Sequence, residues 1–159
     1  RVNLTNEFKT PINCAEFDLF SDEECQNLID TAITDNNGIA EFAKPLQVGA
    51  YYIKQKKSAV GYFYDSAVTQ VVVKEENIGS NTDISLFAKS KGDVNKDGNI
   101  DITDSTVIQL FVAGEKAEDG SDFVDINDTV SFDNANIDGN GIIDINDITN
   151  LQIIISKNN

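Results

Sequence analysis

The sequence predicts two domains of different fold class: an N-terminal all-β antiparallel sandwich over residues 1–89 and a C-terminal α-helical module over residues 91–159. Two observations predict this division. Short runs rich in β-branched and aromatic residues, separated by turn residues, fill the first part. After Lys89, an acid-rich loop followed by a short apolar helix occurs twice, in residues 93–114 and 136–157. Such a duplication indicates a repeated structural unit.

Six runs in the first part are predicted as strands, because turn sequences such as SDEE, DNNG and EENIGSN separate them. Several short strands at this spacing indicate an Ig-like antiparallel sandwich. No nucleophile–base pair and no Gly-rich phosphate loop accompanies them, so we expect a structural module. The six runs are AEFDLF, NLIDTAIT, IAEFAK, AYYIKQ, AVTQVVVK and DISLFAK.

The chain is strongly acidic, with a formal net charge of −15 and no His. Residues 91–159 hold 14 Asp and Glu against 4 Lys, and such a concentration of carboxylates repels itself unless cations neutralise part of it. An acidic surface also repels nucleic-acid phosphates and anionic lipids, so we expect neither nucleic-acid binding nor membrane insertion. Since the sequence begins at Arg1 rather than Met, we expect it to be part of a longer protein.

Two cysteines, Cys14 and Cys25, are too few for a disulfide scaffold. They flank a predicted strand and are expected to lie near its opposite ends, whereas a disulfide needs Cα atoms within about 7 Å of each other. We therefore favour two free thiols over a bridge.

The first part contains A-x-F-x-L, T-D-x-x-G, L-x-x-G-x-Y-x-x-K and G-Y in that order within residues 13–74. This segment resembles the Cna B-type, prealbumin-like repeats of Gram-positive surface proteins. In many of those repeats a Glu promotes a Lys–Asn isopeptide bond, and Gln55 stands in its place here. Because Gln cannot shuttle a proton as a carboxylic acid can, the resemblance implies the fold without a crosslink between Lys9 and Asn77.

The acid-rich loops match the requirements of calcium. This ion takes about six to eight oxygen ligands, which a twelve-residue loop supplies from positions 1, 3, 5, 7, 9 and 12, with Gly at position 6 for the sharp turn. Gly98 and Gly141 stand at position 6 of the two loops. The predicted ligands of loop one are Asp93, Asn95, Asp97, Asn99 through its backbone oxygen, Asp101 and Asp104. Those of loop two are Asn136, Asp138, Asn140, Ile142 through its backbone oxygen, Asp144 and Asp147.

The two loops predict two bound Ca²⁺ and a C-terminal part that folds in response to calcium. Loop two has the neutral Asn136 at position 1, where loop one has Asp93, so we expect the second site to be weaker. A third segment, VDINDTV around Asp125 and Asp128, repeats the end of each loop. It lacks the upstream ligand positions and is predicted to be the linker and middle helix.

Calcium sensors of the calmodulin type have loops that end in Glu and follow a long helix. Both loops here end in Asp, and the strand-like DISLFAKSK leads directly into loop one. With these features, residues 92–156 resemble a dockerin of the cellulosome type. The resemblance implies duplicated EF-hand-like calcium loop–helix units that bind a cohesin module of another protein.

In dockerins the recognition residues lie at the start and along the exposed side of each repeat helix. Ile102 and Ile145 stand in place of hydroxyl residues and favour a hydrophobic, type II-like partner. Because the two repeats are similar, either repeat helix could make most of the contact with the cohesin. By this resemblance the contacts are Ile102, Thr103, Gln109, Leu110 and Gly114 in repeat one, and Ile145, Asn146, Gln152, Ile153 and Lys157 in repeat two.

A Cna B-like sandwich joined directly to a dockerin resembles the X-module–dockerin pairs of scaffoldins and cellulosomal subunits. The resemblance implies a non-enzymatic adaptor in a secreted or cell-surface bacterial complex that degrades polysaccharide. The X module, residues 1–89, serves as rigid support, and the dockerin, residues 91–159, tethers a scaffoldin or enzyme. The alternative is a bacterial surface stalk or adhesin segment that uses calcium for rigidity alone. No catalytic residues are predicted, because the convergent carboxylates are explained as calcium ligands.

Overall fold

The structure is a computed structural model that describes residues 1–6 and 9–158. It divides into two compact units. The first comprises Arg1–Ala59 and Phe63–Lys89, and the second comprises Val60–Tyr62 and Ser90–Asn159. The sequence pattern changes at the same place, after Lys89, but it gives no sign that residues 60–62 belong with the second unit.

In its described residues, the first unit is a sandwich of seven strands in two sheets. The order β4-β1-β7 forms a three-stranded sheet, and β3-β2-β5-β6 forms a four-stranded sheet. The strands are β1 Val2–Thr5, β2 Glu16–Phe20, β3 Leu28–Ile33, β4 Ile39–Ala40, β5 Gly49–Lys57, β6 Val68–Val73 and β7 Ile84–Phe87. A short 3-10 helix, Glu75–Asn77, precedes β7.

Alternating side chains build the core of the first unit. In β2, Phe17 and Leu19 are buried while Glu16 and Asp18 lie at the surface side of the strand, as the two-residue period of a strand requires. Val2 and Leu4 of β1 show the same alternation and are also buried. The predicted antiparallel sandwich is thus confirmed in its architecture.

Three details differ from the predicted strands. The run VNLT forms β1, which was not predicted, and β1 pairs with β7 in parallel, while the other pairings are antiparallel. The predicted strand IAEFAK is reduced to Ile39–Ala40. The backbone N–H groups of Ala43 and Lys44 donate to Oδ2 of Asp30 at 2.8 and 3.1 Å, so they are not available to extend the ladder.

The described part of the second unit contains three helices: α1 Ile102–Val112, α2 Thr129–Ala135 and α3 Ile145–Asn158. Helices α1 and α3 are in contact, and α2 is the middle helix expected between the repeats. Their core consists of Val94, Ile108, Val124, Ala135, Ile137, Ile148 and Leu151. Within the described residues no helix is long and apolar enough to cross a membrane. Cys14 and Cys25 are both free thiols, as favoured.

The core of the sandwich can be tested at Phe17, whose side chain is 2% exposed. Phe17→Ala removes a buried ring and leaves a cavity, so we expect a loss of about 3–5 kcal/mol in the free energy of unfolding. Phe87→Ala is the matched control, because Phe87 is 57% exposed and should lose less than about 1 kcal/mol. Urea denaturation followed by Tyr fluorescence measures both, and equal losses would contradict the assigned core.

The turn between β3 and β4 predicts a pH dependence. The N–H groups of Ile39 and Asn37 donate to Oδ1 of Asp35 at 2.9 and 2.8 Å, and they lower the pKa of this carboxyl. A pKa that is lower in the folded state stabilises the fold above the unfolded-state pKa, about 3.9, and this contribution is lost as the pH falls through the folded-state pKa.

We therefore expect Asp35→Asn to be less stable than the parent at about pH 7 and to approach it at about pH 3. Glu24→Gln, at an exposed acidic residue, serves as the control and should show little difference at either pH. Unfolding curves at the two pH values measure the free energy of unfolding of each variant. A difference between Asp35→Asn and the parent that does not change with pH would contradict the assigned role of the Asp35 charge.

Candidate metal centres in the second unit

The last acidic residue of each loop is buried and holds the loop together. The Asp104 side chain is fully buried: Oδ1 accepts from the N–H groups of Val94 and Asn95 at 2.7 and 3.0 Å, and Oδ2 accepts from Asp101 N–H at 2.9 Å. Asp101 in turn accepts from Thr103 N–H. Asp101 and Asp104, at positions 9 and 12, together form a capping box at the start of α1.

Asp147 occupies the equivalent place in loop two. It is also fully buried, and it accepts from Asp138 N–H at 3.2 Å and from Asp144 N–H at 2.8 Å. Burial raises the pKa of the Asp147 carboxyl, although these hydrogen bonds oppose the shift. A carboxyl in this situation gains from a cation close by, because the cation favours the charged form.

The intermediate positions of the two loops share one hydrogen-bond pattern. At positions 3, 5 and 9, the side-chain oxygen accepts from the backbone N–H two residues later. In loop one, Asn95 accepts from Asp97, Asp97 from Asn99, and Asp101 from Thr103. In loop two, Asp138 accepts from Asn140, Asn140 from Ile142, and Asp144 from Asn146. The loops are therefore two copies of one local structure, as their sequences predict.

The glycines at position 6 have the backbone conformation that the sharp turn needs. Gly98 has φ +90° and Gly141 has φ +87°, a region that favours glycine. Two residues later, at position 8, Ile100 and Ile143 pack against the core of the second unit. The residues at position 7, Asn99 and Ile142, are exposed. The turn thus directs each loop back toward the core before its helix begins.

The first position of each loop carries an oxygen without a hydrogen-bond partner. Within the described part of the chain, the buried side-chain atoms that lack a partner are Oδ1 of Asp93, Oδ1 of Asn136 and Oγ of Ser105. A buried polar atom left unpaired costs about 1–3 kcal/mol, so its presence needs an explanation. Two of the three are at position 1 of the two loops, where calcium would take an oxygen ligand. These two oxygens therefore fit the chemistry of the ion at position 1 of each loop.

The candidate sites depend on more than carboxylates. No group of three or more His, Cys, Asp or Glu in the described residues lies together in a way that could hold a metal ion. Each loop contributes Asn side chains as well, and a backbone carbonyl at position 7 is a further oxygen of the kind that calcium accepts. This mixture of oxygen donors fits calcium better than zinc, which takes Cys and His.

Lys91 is a charged residue near loop two that the sequence did not single out. Its side chain is buried, and Nζ donates to the backbone carbonyl of Asn136 at 3.1 Å. Burial lowers the pKa of Lys91, and the charges of Asp133, Asp147 and Asp138 oppose that shift. Lys91 thus brings a positive charge to the beginning of loop two. In the sequence, Lys91 stands two residues before loop one, a position that indicates a junction between the two parts and not a role in loop two.

The third acidic segment forms a helix cap. Oδ1 of Asp128 accepts from Val130 N–H at 3.2 Å at the start of α2, and Oδ2 of Asp128 accepts from Lys96 Nζ at 3.3 Å. Asp125 accepts from Asn127 N–H at 2.9 Å. This geometry agrees with the linker and middle helix that the sequence predicts there.

The candidate partner residues are mostly at the surface. Ile102 and Ile145, the first residues of α1 and α3, are 58% and 63% exposed. Leu110 is half-buried, so only part of its side chain is accessible to a partner. The exposed members of the two sets are Ile102, Thr103, Gln109, Gly114, Ile145, Asn146, Gln152, Ile153 and Lys157.

Comparison with known families concerns the first unit. A family model described as "SpaA: Prealbumin-like fold domain" matches residues 3–85, just over half of the chain. The chain belongs to the SpaA prealbumin-like fold family. The prealbumin-like part of the sequence-based prediction is thereby confirmed, and the family match ends before the predicted calcium loops begin.

Solved structures with similar folds include several bacterial proteins of low identity. The Bacillus anthracis TIE protein is 24% identical with a TM-score of 0.46 over 57% of this chain and 16% of its own. The major pilin subunit BcpA of Bacillus cereus is 25% identical with a TM-score of 0.43, covering 55% and 27%. The fimbrial protein FimP from Actonomyces oris is 16% identical with a TM-score of 0.47, covering 57% and 29%. This chain thus spans less than a third of each of these proteins, and no curated protein matches it.

Within the SpaA prealbumin-like domain, Gln55 has a structural role. Its side chain is buried, and Oε1 accepts from the backbone N–H of Asp65 at 2.7 Å, while its backbone carbonyl accepts from Tyr64 Oη. These bonds hold the chain between β5 and β6 against the end of β5. They give Gln55 a place in the fold that does not involve a crosslink.

The role of position 1 in loop two can be tested by placing a carboxylate there, as loop one has at Asp93. Asn136→Asp is expected to strengthen calcium binding at the weaker site about three- to tenfold, because affinity follows the number of charged ligands. Calorimetric titration of the full chain measures this change. Asn134→Asp adds the same charge two residues away, where the native side chain accepts from Gly92 N–H, and should have a much smaller effect. Equal effects in the two variants would indicate general charge attraction instead of ligation.

Proposed function

We propose that this chain is a non-catalytic segment of a bacterial extracellular protein whose second unit is ordered by two calcium ions. The observation that carries the proposal is the matched pair of buried, unpaired oxygens at position 1 of the two loops, Oδ1 of Asp93 and Oδ1 of Asn136. Both copies of the repeated loop leave the same atom without a partner. One calcium ion bound at each loop explains both cases.

The loops supply the ligands by side-chain and backbone oxygen, and the bound ion neutralises their carboxylates. Asp104 and Asp147 hold the two ends of their loops together and lie at the first turns of α1 and α3. Loop one has four carboxylates among its ligand positions and loop two has three, so the first site is the tighter one. Without calcium the repulsion among these groups opposes folding of the second unit.

A rigid stalk or adhesin segment of a bacterial surface protein is the role that the comparisons favour. The SpaA prealbumin-like domain supports it, because repeats of this kind build surface proteins in the Cna B-type family that the sequence resembles. A structural, non-enzymatic role also agrees with the residues, since most of the acidic groups of the second unit belong to its two loops and its helix caps.

A dockerin that binds a cohesin is the second candidate, and a separate observation favours it. Ile102 and Ile145 begin equivalent helices, in equivalent sequence contexts, and both are largely exposed to solvent. A duplicated apolar residue at the surface suits a partner that recognises either repeat. In this role the second unit tethers a scaffoldin or an enzyme to a cellulosome-type complex that degrades polysaccharide.

Calcium binding is tested first, by calorimetric titration of the metal-stripped full chain together with circular dichroism. Two binding events, the first about tenfold or more tighter than the second, are expected with a gain in helical signal. Magnesium, which demands a stricter geometry, should bind much more weakly. Absence of calcium binding would overturn both candidates for the second unit and leave the SpaA prealbumin-like domain as the basis for function.

The two roles are separated by capture of purified cohesin modules on the immobilised full chain. A dockerin retains a cohesin with calcium and releases it with chelator, and Ile102→Ser combined with Ile145→Ser should weaken retention at least about tenfold. Ile126→Ser is the matched control, because Ile126 is 58% exposed and lies in the similar sequence DIND outside the two repeats. Calcium binding without retention of any cohesin would favour the stalk.

A further inference from the structure

The second unit is assembled from two separate stretches of the chain. Residues 60–62, here named the strap, come from the connection between β5 and β6, and residues 90–159 form the rest. The strap runs beside the beginning of the longer stretch, where Tyr62 and Ser90 form an antiparallel bridge. A segment of three residues has no core of its own, so its place depends on the backbone bonds that it makes.

Gly61 at the centre of the strap makes two such bonds. Its N–H donates to the carbonyl of Ile137 at 3.1 Å, and its carbonyl accepts from Lys91 N–H at 2.8 Å. Gly61 is therefore hydrogen-bonded on one side to the beginning of loop two and on the other side to the segment that leads into loop one. The other contacts of this region, Lys91 Nζ to Asn136 O and Gly92 N–H to Asn134 Oδ1, link the same two segments.

The strap fits because residue 61 has no side chain. Gly61 is buried and has φ +84°, and a Cβ at this position would lie 2.2 Å from Cδ1 and 3.2 Å from Cγ1 of Ile154 in α3. Ile137 Cγ2 would be at 4.0 Å. The left-handed backbone therefore favours glycine here, and an added Cβ would force the Ile154 side chain to shift.

The bonded residues are next to the predicted calcium ligands. Ile137 is position 2 of loop two, between Asn136 and Asp138, and it belongs to the core of the second unit. Lys91 precedes Asp93, position 1 of loop one, by two residues. The oxygens without a partner, Oδ1 of Asp93 and Oδ1 of Asn136, therefore lie close in sequence to the two backbone segments that Gly61 connects.

We propose that Gly61 is a positioning residue for both calcium loops, which it holds at their first ligands through its two backbone hydrogen bonds. The inference rests on the proposed calcium sites. On this proposal, the second unit reaches full calcium affinity only when residues 60–62 are in place. A change at residue 61 then lowers the calcium affinity of ligands that lie more than 30 positions later in the sequence.

The experiment is a calcium titration of the full chain and of Gly61→Ala, by calorimetry and circular dichroism. The expected result is calcium binding about tenfold weaker in Gly61→Ala, a loss that falls on both sites. Gly120→Ala is the matched control: Gly120 has φ +80° in the same unit, with nothing within 4 Å of an added Cβ. It carries the same backbone strain without the clash and should bind calcium within about twofold of the parent.

A second variant tests the contact itself. Ile154→Val removes the Cδ1 atom that the methyl group added by Gly61→Ala would meet, so Gly61→Ala should lose less affinity in the Ile154→Val background than alone. Calcium binding by the parent chain with equal affinity in Gly61→Ala would overturn the inference and leave the proposed function intact. A thermal midpoint that falls equally in calcium and in chelator, with unchanged affinity, would show a role in packing alone and would also overturn it. Failure of the parent chain to bind calcium would instead defeat the proposed function.

Discussion

The second unit depends on how its buried oxygen atoms are satisfied. Asp104 and Asp147 are fully buried, and Oδ1 of Asp93 and Oδ1 of Asn136 have no hydrogen-bond donor among the described residues. Lys91 brings one positive charge to this region, but it donates to a backbone carbonyl. Burial of negative and unpaired oxygens is unfavourable unless a cation or a donor is nearby. The same atoms that make the fold unfavourable in isolation are those that the proposed calcium ions would bind.

This constraint also places the helices. Asp101 and Asp104 form the capping box of α1 at positions 9 and 12 of loop one, so the last residues of the loop are the first contacts of the helix. In loop two, Asp144 and Asp147 make the corresponding bonds at the start of α3. Loop and helix therefore form one structural element.

Most of the sandwich and the loop geometry could be predicted from the sequence, because both have local, periodic signals. The alternation around Phe17 and Leu19 marks β2, and the regular spacing of Asp, Asn and Gly marks the loops. The parallel pairing of β1 with β7 had no such signal, since VNLT is short and its partner lies some 80 residues away. Asp30 shortened β4 by taking two backbone donors from a distance in sequence that a local pattern does not show. Gly61 was seen as part of a G-Y motif, while its contacts with Lys91 and Ile137 arise from tertiary structure.

The second unit cannot be excised from the chain as one continuous stretch. A fragment that starts at residue 90 contains both loops and the three described helices, yet it omits residues 60–62, which the compact unit includes. Such a fragment lacks the two backbone hydrogen bonds of Gly61 to Ile137 and Lys91. The shortest continuous fragment that keeps the unit whole therefore carries part of the sandwich with it.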